Sequence, residues 1–252
     1  YGALAFRPSA GEFGVIGVSV LAVDYGQVQG TVRFNNEQGY MDTGMIEPSA
    51  LSAGVSYARA LSNRFSVGGT VKYAMQDLGS AFLGLSEEGE ALGEGAPTSE
   101  LQEGTPAFDF GVLYRTGFRS LNLAVAARNF ASELKYAEKS FELPLTFYLG
   151  ASLNVVDFVP NVNKDVHSLQ VSVEGVHPRA FSEQLKVGGE YDFMNTLSLR
   201  AGYMFPTDMQ GINLGAGVHQ TVANTQIAFD YGYSDYDFFG AVHRVAVRLA
   251  FE

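Results

Sequence analysis

The sequence predicts an all-β fold, a transmembrane antiparallel β-barrel of about 14 strands when intact, and three observations predict it. Apolar and polar residues alternate with period two along almost the whole chain. The connectors between alternating segments switch regularly between short and long. No stretch reaches the roughly 18 consecutive apolar residues of a membrane-spanning helix; the longest apolar run, near residues 14–23, is broken by Gly17 and Ser19.

Period two is clearest in the C-terminal half. Leu185, Val187, Tyr191 and Phe193 share one face, and Lys186, Glu190 and Asp192 the other. After the tight turn Met194-Asn195-Thr196, Leu197, Leu199, Ala201, Tyr203 and Phe205 oppose Ser198, Arg200, Gly202 and Met204. Phe65, Val67, Val71 and Tyr73 stand against Ser66, Thr70 and Lys72. Phe108, Phe110, Val112 and Tyr114 stand against Asp109, Gly111 and Arg115. Leu121, Leu123 and Val125 oppose Asn122 and Arg128, and Leu169, Val171 and Val173 oppose Gln170, Ser172 and Glu174. Ile212, Leu214 and Val218 oppose Asn213 and Gly215; Ile227, Phe229 and Tyr231 oppose Gln226 and Asp230; Val245, Val247, Leu249 and Phe251 oppose Arg244, Ala246 and Arg248.

Short turns fall at 62–64, 116–118, 194–196 and 221–223. Longer links fall at about 35–48, 79–105, 131–143, 177–183 and 234–242. Short turns on one side and long loops on the other are the pattern of an outer-membrane barrel, with the short turns in the periplasm. The longish link 156–167 falls on the short-turn side and is expected to be a periplasmic excursion. The count gives about 12 complete strands plus a truncated one at 1–6. Such barrels have even strand numbers, so the expectation is a single barrel domain over 1–252 with the first strand and part of the second lying upstream. No signal peptide is present in these residues.

Composition agrees. Hydrophobic residues make up 46% of the 252 residues, as in a water-soluble protein, because only every second residue of a barrel strand faces lipid. A net charge of −11 argues against a nucleic-acid partner. Without cysteine there are no disulfides or thiolate sites. Without tryptophan, an interfacial aromatic girdle has to come from the 13 Tyr and 19 Phe. Tyr57, Phe65, Tyr73, Tyr114, Phe193, Phe205 and Tyr233 stand at strand ends, as a girdle would. A soluble sandwich or lipocalin-like barrel also alternates; the terminal aromatics and the mixed charge of the polar face favour the membrane.

The polar phase carries Lys72, Asp109, Arg115, Arg128, Glu174, Lys186, Glu190, Asp192, Arg200, Asp230, Arg244 and Arg248. Both signs occur in comparable numbers, so a paired, salt-bridged lumen is expected rather than an open ion-selective pore. Residues 79–105 form a long acidic extracellular loop, with Glu87, Glu88, Glu90, Glu94, Glu100 and Glu103 among small residues. The segment lacks the spacing of a calcium loop. None of His167, His177, His219 and His243 forms a metal pair by spacing, and no nucleophile–base pair can be located. No enzyme chemistry, metal or cofactor is expected.

Residues 51–73, LSAGVSYARALSNRFSVGGTVKY, resemble a strand–turn–strand block of the PorV/PorQ family of outer-membrane proteins. The resemblance continues through FDFGVLYRTG at 108–117 and LNLAVAARNF at 121–130. It is most specific at 229–249, FDYGYSDYDFFGAVHRVAVRL, which is similar to the family's terminal hairpin. It implies a FadL-like barrel of 14 strands and a role in type IX secretion, in which the C-terminal signal domains of cargo proteins are bound at the cell surface. The partners it implies are secretion-system subunits or such cargo, with outer-membrane lipid around the barrel and lipid or detergent in the lumen. The candidate contact surface is the terminal tip: Tyr233, Ser234, Asp235, Tyr236, Asp237, Phe238 and Phe239. Its alternative is a packed turn that seals the barrel. Two other functions stay open at this point, a FadL-like passive transporter of hydrophobic small molecules and a structural barrel anchoring a surface complex.

Overall fold

The computed structural model describes residues 1–8, 13–82, 98–132, 134–136, 139–141, 143–206, 210–222 and 224–251. Its strands are β1 (Gly2–Phe6), β2 (Val15–Asp24), β3 (Val28–Arg33), β4 (Tyr40–Ile46), β5 (Ser49–Ala60), β6 (Phe65–Phe82), β7 (Thr98–Arg115), β8 (Asn122–Ala131) and β9 (Leu134–Tyr136). They continue as β10 (Lys139–Phe141), β11 (Thr146–Asn154), β12 (His167–Pro178), β13 (Gln184–Phe193), β14 (Leu197–Phe205), β15 (Ile212–Val222), β16 (Thr225–Asp235) and β17 (Ala241–Phe251). Thirteen form one sheet in the order β1-β2-β5-β6-β7-β8-β11-β12-β13-β14-β15-β16-β17. These are the twelve strands and the short N-terminal one that the alternation predicts.

By contacts the chain divides into two units, each described by itself. The first comprises Tyr1–Arg59, Gly68–Phe110 and Arg128–Leu145; the second comprises Ala60–Val67, Gly111–Ala127 and Thr146–Glu252.

In the first unit β2 pairs antiparallel with β1 and with β5, the latter over the full run Val15↔Ala58 to Asp24↔Ser49. The link expected at 35–48 is in fact longer and structured. β2 stops at Asp24, whose Oδ1 accepts from the Gly26 N–H at 2.8 Å, and Tyr25 N donates to Pro48 O at 3.1 Å. Between them β3 and β4 form a separate hairpin. Asn36 turns it: its Oδ1 accepts from the N–H groups of Gln38 and Gly39 at 3.1 and 2.7 Å. The acidic link is shorter than expected. β6 runs on to Phe82 and β7 begins at Thr98, so the remaining residues, 83–97, lie outside the described ones.

In the second unit β11 to β17 pair antiparallel in sequence order. The turn after β13 puts Met194 and Asn195 at φ 53° and 52°, the twist that a tight hairpin needs. The excursion after β11 is built on Asn154, whose Oδ1 accepts from Val156 N at 3.1 Å and opens the 3-10 turn Val155–Phe158. Asn163 closes it, accepting from Asp165 N with its side chain and from His167 N with its carbonyl.

The register explains the alternation. Tyr191↔Leu199, Leu199↔Ala216, Ala216↔Tyr231 and Tyr231↔Val245 follow one another across five strands, and Val218↔Phe229 and Phe229↔Val247 run beside them. All lie on one face, since opposite residues of a ladder point the same way. This apolar face is uncovered: Leu199 is 61% exposed and Val247 64%, with Leu185, Leu214 and Phe229 exposed beside them. Among the described residues the buried apolar side chains are Ala107, Val156 and Val176. A soluble sandwich would lay a second sheet over this face. Each Val, Leu or Phe left in water forgoes about 1.5–3 kcal/mol, so the fold needs hydrocarbon against it.

A cation in the middle of this face tests that placement. Leu214→Arg is expected to cost about 2–4 kcal/mol in denaturant unfolding from lipid vesicles. Gln170→Arg, on the polar face, is expected to change little in the same assay.

Candidate functional site

Two places collect the residues singled out by sequence: the polar face of the sheet and the tip between β16 and β17.

In the first unit, Lys72 Nζ donates to both oxygens of Asp109, at 2.7 and 2.8 Å, and to Asn129 Oδ1 at 2.7 Å. The Asn129 N–H donates back to Asp109 Oδ1 at 2.8 Å. Both charged side chains are more than four-fifths buried, where an unpaired charge would be costly. Asn129, not Arg128, is the β8 member of this cluster. The alternation of β8 slips by one at Ala126-Ala127, so that Arg128 shares the exposed phase with Phe130, and Asn129, between them, takes φ 62°. The expected inward placement of Arg128 is corrected accordingly; a local slip of this kind leaves no mark in a pattern of Ala-Ala-Arg-Asn.

In the second unit the polar phase of β12–β17 forms a row. Lys186 pairs with Glu174 at 3.3 Å and lies 5.6 Å from the Tyr148 ring centroid. Arg200 is central: its Nε donates to Glu190 and its Nη1 to Asp230, the latter at 2.6 Å. His219 Nε2 and Arg248 Nη2 approach the same Asp230 carboxylate at 3.5 and 3.6 Å. Asp192 accepts from the Ser198 hydroxyl. Nearer the tip, Arg244 donates to Ser234 Oγ at 2.7 Å and to the Tyr236 hydroxyl at 3.3 Å, while Ser234 Oγ donates to Asn213 Oδ1 at 2.6 Å. Arg115 stands apart. It is exposed at the end of β7, and among the described residues it enters no ion pair.

Sequence reading missed His219, Ser198, Asn213 and Asn129 as members of these clusters. It also missed what Gly217 does. Gly217 lies opposite Asp230, and a Cβ built on it would collide with the Asp230 carboxylate and come within 3.2 Å of Arg200 Nη1 and His219 Nε2. The bare backbone makes room for the charge cluster. The other histidines reach Tyr191, Glu183 and Tyr231.

At the tip, the 3-10 turn Asp237–Phe239 is closed by Tyr236 N donating to Gly240 O and Gly240 N donating to Asp237 O, both at 3.0 Å. Asp235 Oδ1 accepts from Asp237 N at 3.2 Å. Tyr233 packs edge-on against His243, ring centroids 5.7 Å apart. Tyr236 is tied to Arg244, but Phe238 and Phe239 project, 93% and 71% exposed, as a T-shaped pair 5.7 Å apart. Within this unit they seal nothing.

Charge also organises the excursion after β11. The Ser120 hydroxyl and then Lys164 Nζ, 3.0 Å away, hold the Asp157 carboxyl below the usual carboxylate range. A backbone N–H and then His177 do the same for Glu183, in the connection before β13.

Gly217→Ala is expected to cost about 1–3 kcal/mol by overpacking the cluster, read from the midpoint of urea unfolding in vesicles. Gly188→Ala, whose Cβ would meet nothing closer than 3.5 Å, is the control and should be near neutral. A depressed native pKa means the Asp157 contribution is full above about pH 4, the unfolded value, and is lost as pH falls through the native one. Amide protection at 155–165, corrected for intrinsic rates, should therefore fall on acidification, and Asp157→Asn should remove that dependence.

The fold has solved counterparts. A structure described as "CymD monoaromatic hydrocarbon channel" matches at TM-score 0.57 and 13% identity, over 98% of this chain and 80% of that one. The toluene transporter TodX of Pseudomonas putida matches at TM-score 0.54 and 11% identity, over 88% and 74%. At such identities the likeness shows the fold alone, that of an outer-membrane β-barrel channel. The comparison with curated proteins returns no match. Among families, the one described as "Type IX secretion system membrane protein PorP/SprF" matches residues 27–243. That span takes in the Lys72–Asp109 cluster, Arg200, Asp230 and the tip as far as His243, and stops short of Arg244 and Arg248. It upholds the type IX secretion reading drawn from the resemblance, within a different family from PorV/PorQ. The chain is a bacterial outer-membrane protein and belongs to the PorP/SprF family of type IX secretion system membrane proteins.

Proposed function

We propose that the protein is a partner-binding barrel of type IX secretion, and that the tip between β16 and β17 is its contact surface for a secretion subunit or for the C-terminal signal domain of a cargo protein. The observation that carries this reading is the exposed Phe238–Phe239 pair. Two large aromatics on a hydrogen-bonded turn form an anchor of the kind that dominates protein interfaces. Their base is fixed, because Tyr236 is held by Arg244, and Arg244 by Ser234. Asp235 and Asp237 flank the anchor with negative charge, so the matching surface is an apolar pocket with a basic rim. Cargo binding of the PorV/PorQ kind is the finer form of this proposal.

A second reading, passage of hydrophobic small molecules, draws on the channel fold and on what the two solved counterparts are described as carrying. Against it stand the ion pairs along the polar face of β12–β17.

The test is a pull-down from detergent extracts of a strain that secretes such cargo. The wild-type barrel should retain a secretion subunit or cargo protein. Phe238→Ser with Phe239→Ser should cut retention at least tenfold without changing the barrel's own unfolding midpoint. Recovery of the wild-type barrel alone would count against the proposal. Uptake of a hydrophobic tracer by reconstituted vesicles, insensitive to those substitutions, would favour the second reading.

A further inference from the structure

We infer that Arg64, Arg115 and Arg119 form a cationic rim on the short-turn side of the second unit that binds the phosphate groups of anionic phospholipids in the inner leaflet of the outer membrane. The inference is independent of the secretion reading and rests on two adjoining turns. The first, at 61–64, is fixed by Ser62 Oγ, which accepts from Arg64 N and Phe65 N at 3.2 and 3.1 Å. The second, at 116–121, is fixed by Thr116: its N–H and hydroxyl donate to Leu121 O at 3.1 and 3.0 Å. Arg115 N donates to Arg64 O at 2.7 Å and zips the two together.

Two of the guanidiniums are placed at the second turn by their contacts, and Arg115 joins them through its backbone bond to Arg64. A Cβ on Gly117, where φ is +81°, would lie 2.8 Å from Arg64 Cζ, so Arg64 lies across the bare backbone there. Arg119 Cζ sits 4.4 Å from the ring centroid of Phe158, a cation–π contact that orients it. Among the described residues no carboxylate stands within ion-pair distance of the three arginines. The nearby Asp157 is held first by Ser120 and Lys164, and Arg119 acts on it only from beyond ion-pair distance.

Their level in the membrane follows from the strands. Arg64 directly precedes Phe65, and Arg115 directly follows Tyr114; both aromatics are exposed on the apolar phase. One residue of strand advances about 3.3 Å. The interfacial layer beyond the hydrocarbon is about 5–7 Å deep on each side. The arginines therefore sit among headgroups, with the exposed Leu61 and Phe118 beside them. Turns this short do not reach past that layer, which favours lipid over a periplasmic protein as the occupant. Guanidinium forks match phosphate oxygens in geometry as well as charge.

The experiment uses the full-length protein purified in detergent, titrated with phosphatidylglycerol or with phosphatidylcholine of the same chains. Phosphatidylglycerol should raise the thermal unfolding midpoint of the wild type more than phosphatidylcholine does, and salt should shrink the difference. The triple variant R64Q/R115Q/R119Q should lose the excess and keep the phosphatidylcholine increment, with affinity for the anionic lipid falling about fivefold per arginine. The triple Arg→Lys variant should retain most of it. Equal increments in the wild type would overturn the inference, and so would an excess that survives in the glutamine variant. Lack of any anionic preference is also what a rim built for a protein partner predicts. Should the variants not fold, native mass spectrometry of the wild type decides: preferential retention of phosphatidylglycerol from an equal mixture supports the inference, and equal retention overturns it.

Discussion

Everything in this protein follows from an apolar sheet face with no protein layer against it. A soluble β-protein of this length would bury one face of its sheet under a second sheet or helices. Here the described residues bury almost no large apolar side chain, while Leu185, Leu199, Phe229 and Val247 lie open on one face. Hydrocarbon takes the place of the missing layer. In that solvent the backbone cannot leave its N–H and C=O groups unpaired, so only helices or ladders of paired strands will serve. Long antiparallel strands joined by short turns on one side are the consequence.

The polar face answers a second demand. Its charges lie on the side away from lipid, and a charge there has to find a partner. Asp109 gathers Lys72 and the Asn129 amide; Asp230 gathers Arg200, His219 and Arg248. The space for the second cluster comes from Gly217, which leaves bare backbone beneath it. Lys72 and Asp109 are largely buried, whereas the ion pairs of the second cluster are partly open to water and their net worth is modest. In the second unit Arg244 links Ser234 on β16 to Tyr236 at the base of the tip.

Much of this was legible in the sequence, because period two reports directly which side of a sheet a residue faces. The thirteen strands and the polar phase shared by Lys72, Asp109, Glu174, Lys186, Arg200 and Asp230 follow from period two, whereas which of these residues pair depends on a register that the period does not give. What escaped lies where phase breaks or where distance matters. Counting in twos places Arg128 inward, and the slip at Ala126-Ala127 undoes the count. The hairpin of β3 and β4 was merged into a strand and a loop, because Tyr25-Gly26 ends β2 through an Asx turn that alternation does not register. The roles of His219 and Gly217 depend on which residues meet across β15 and β16, a register that hydrophobic alternation alone does not give. The exposure of Phe238 and Phe239 was equally hidden, since an aromatic tip reads the same whether it packs inward or projects.

The absence of tryptophan makes the central claim directly measurable. Single tryptophans placed by Leu199→Trp and Ser198→Trp would report the two sides of one strand in vesicles of brominated lipid. The account predicts strong quenching at 199 and little at 198. Equal quenching at both positions, or a Leu199→Trp protein that stays folded and unquenched in detergent-free buffer, would contradict it.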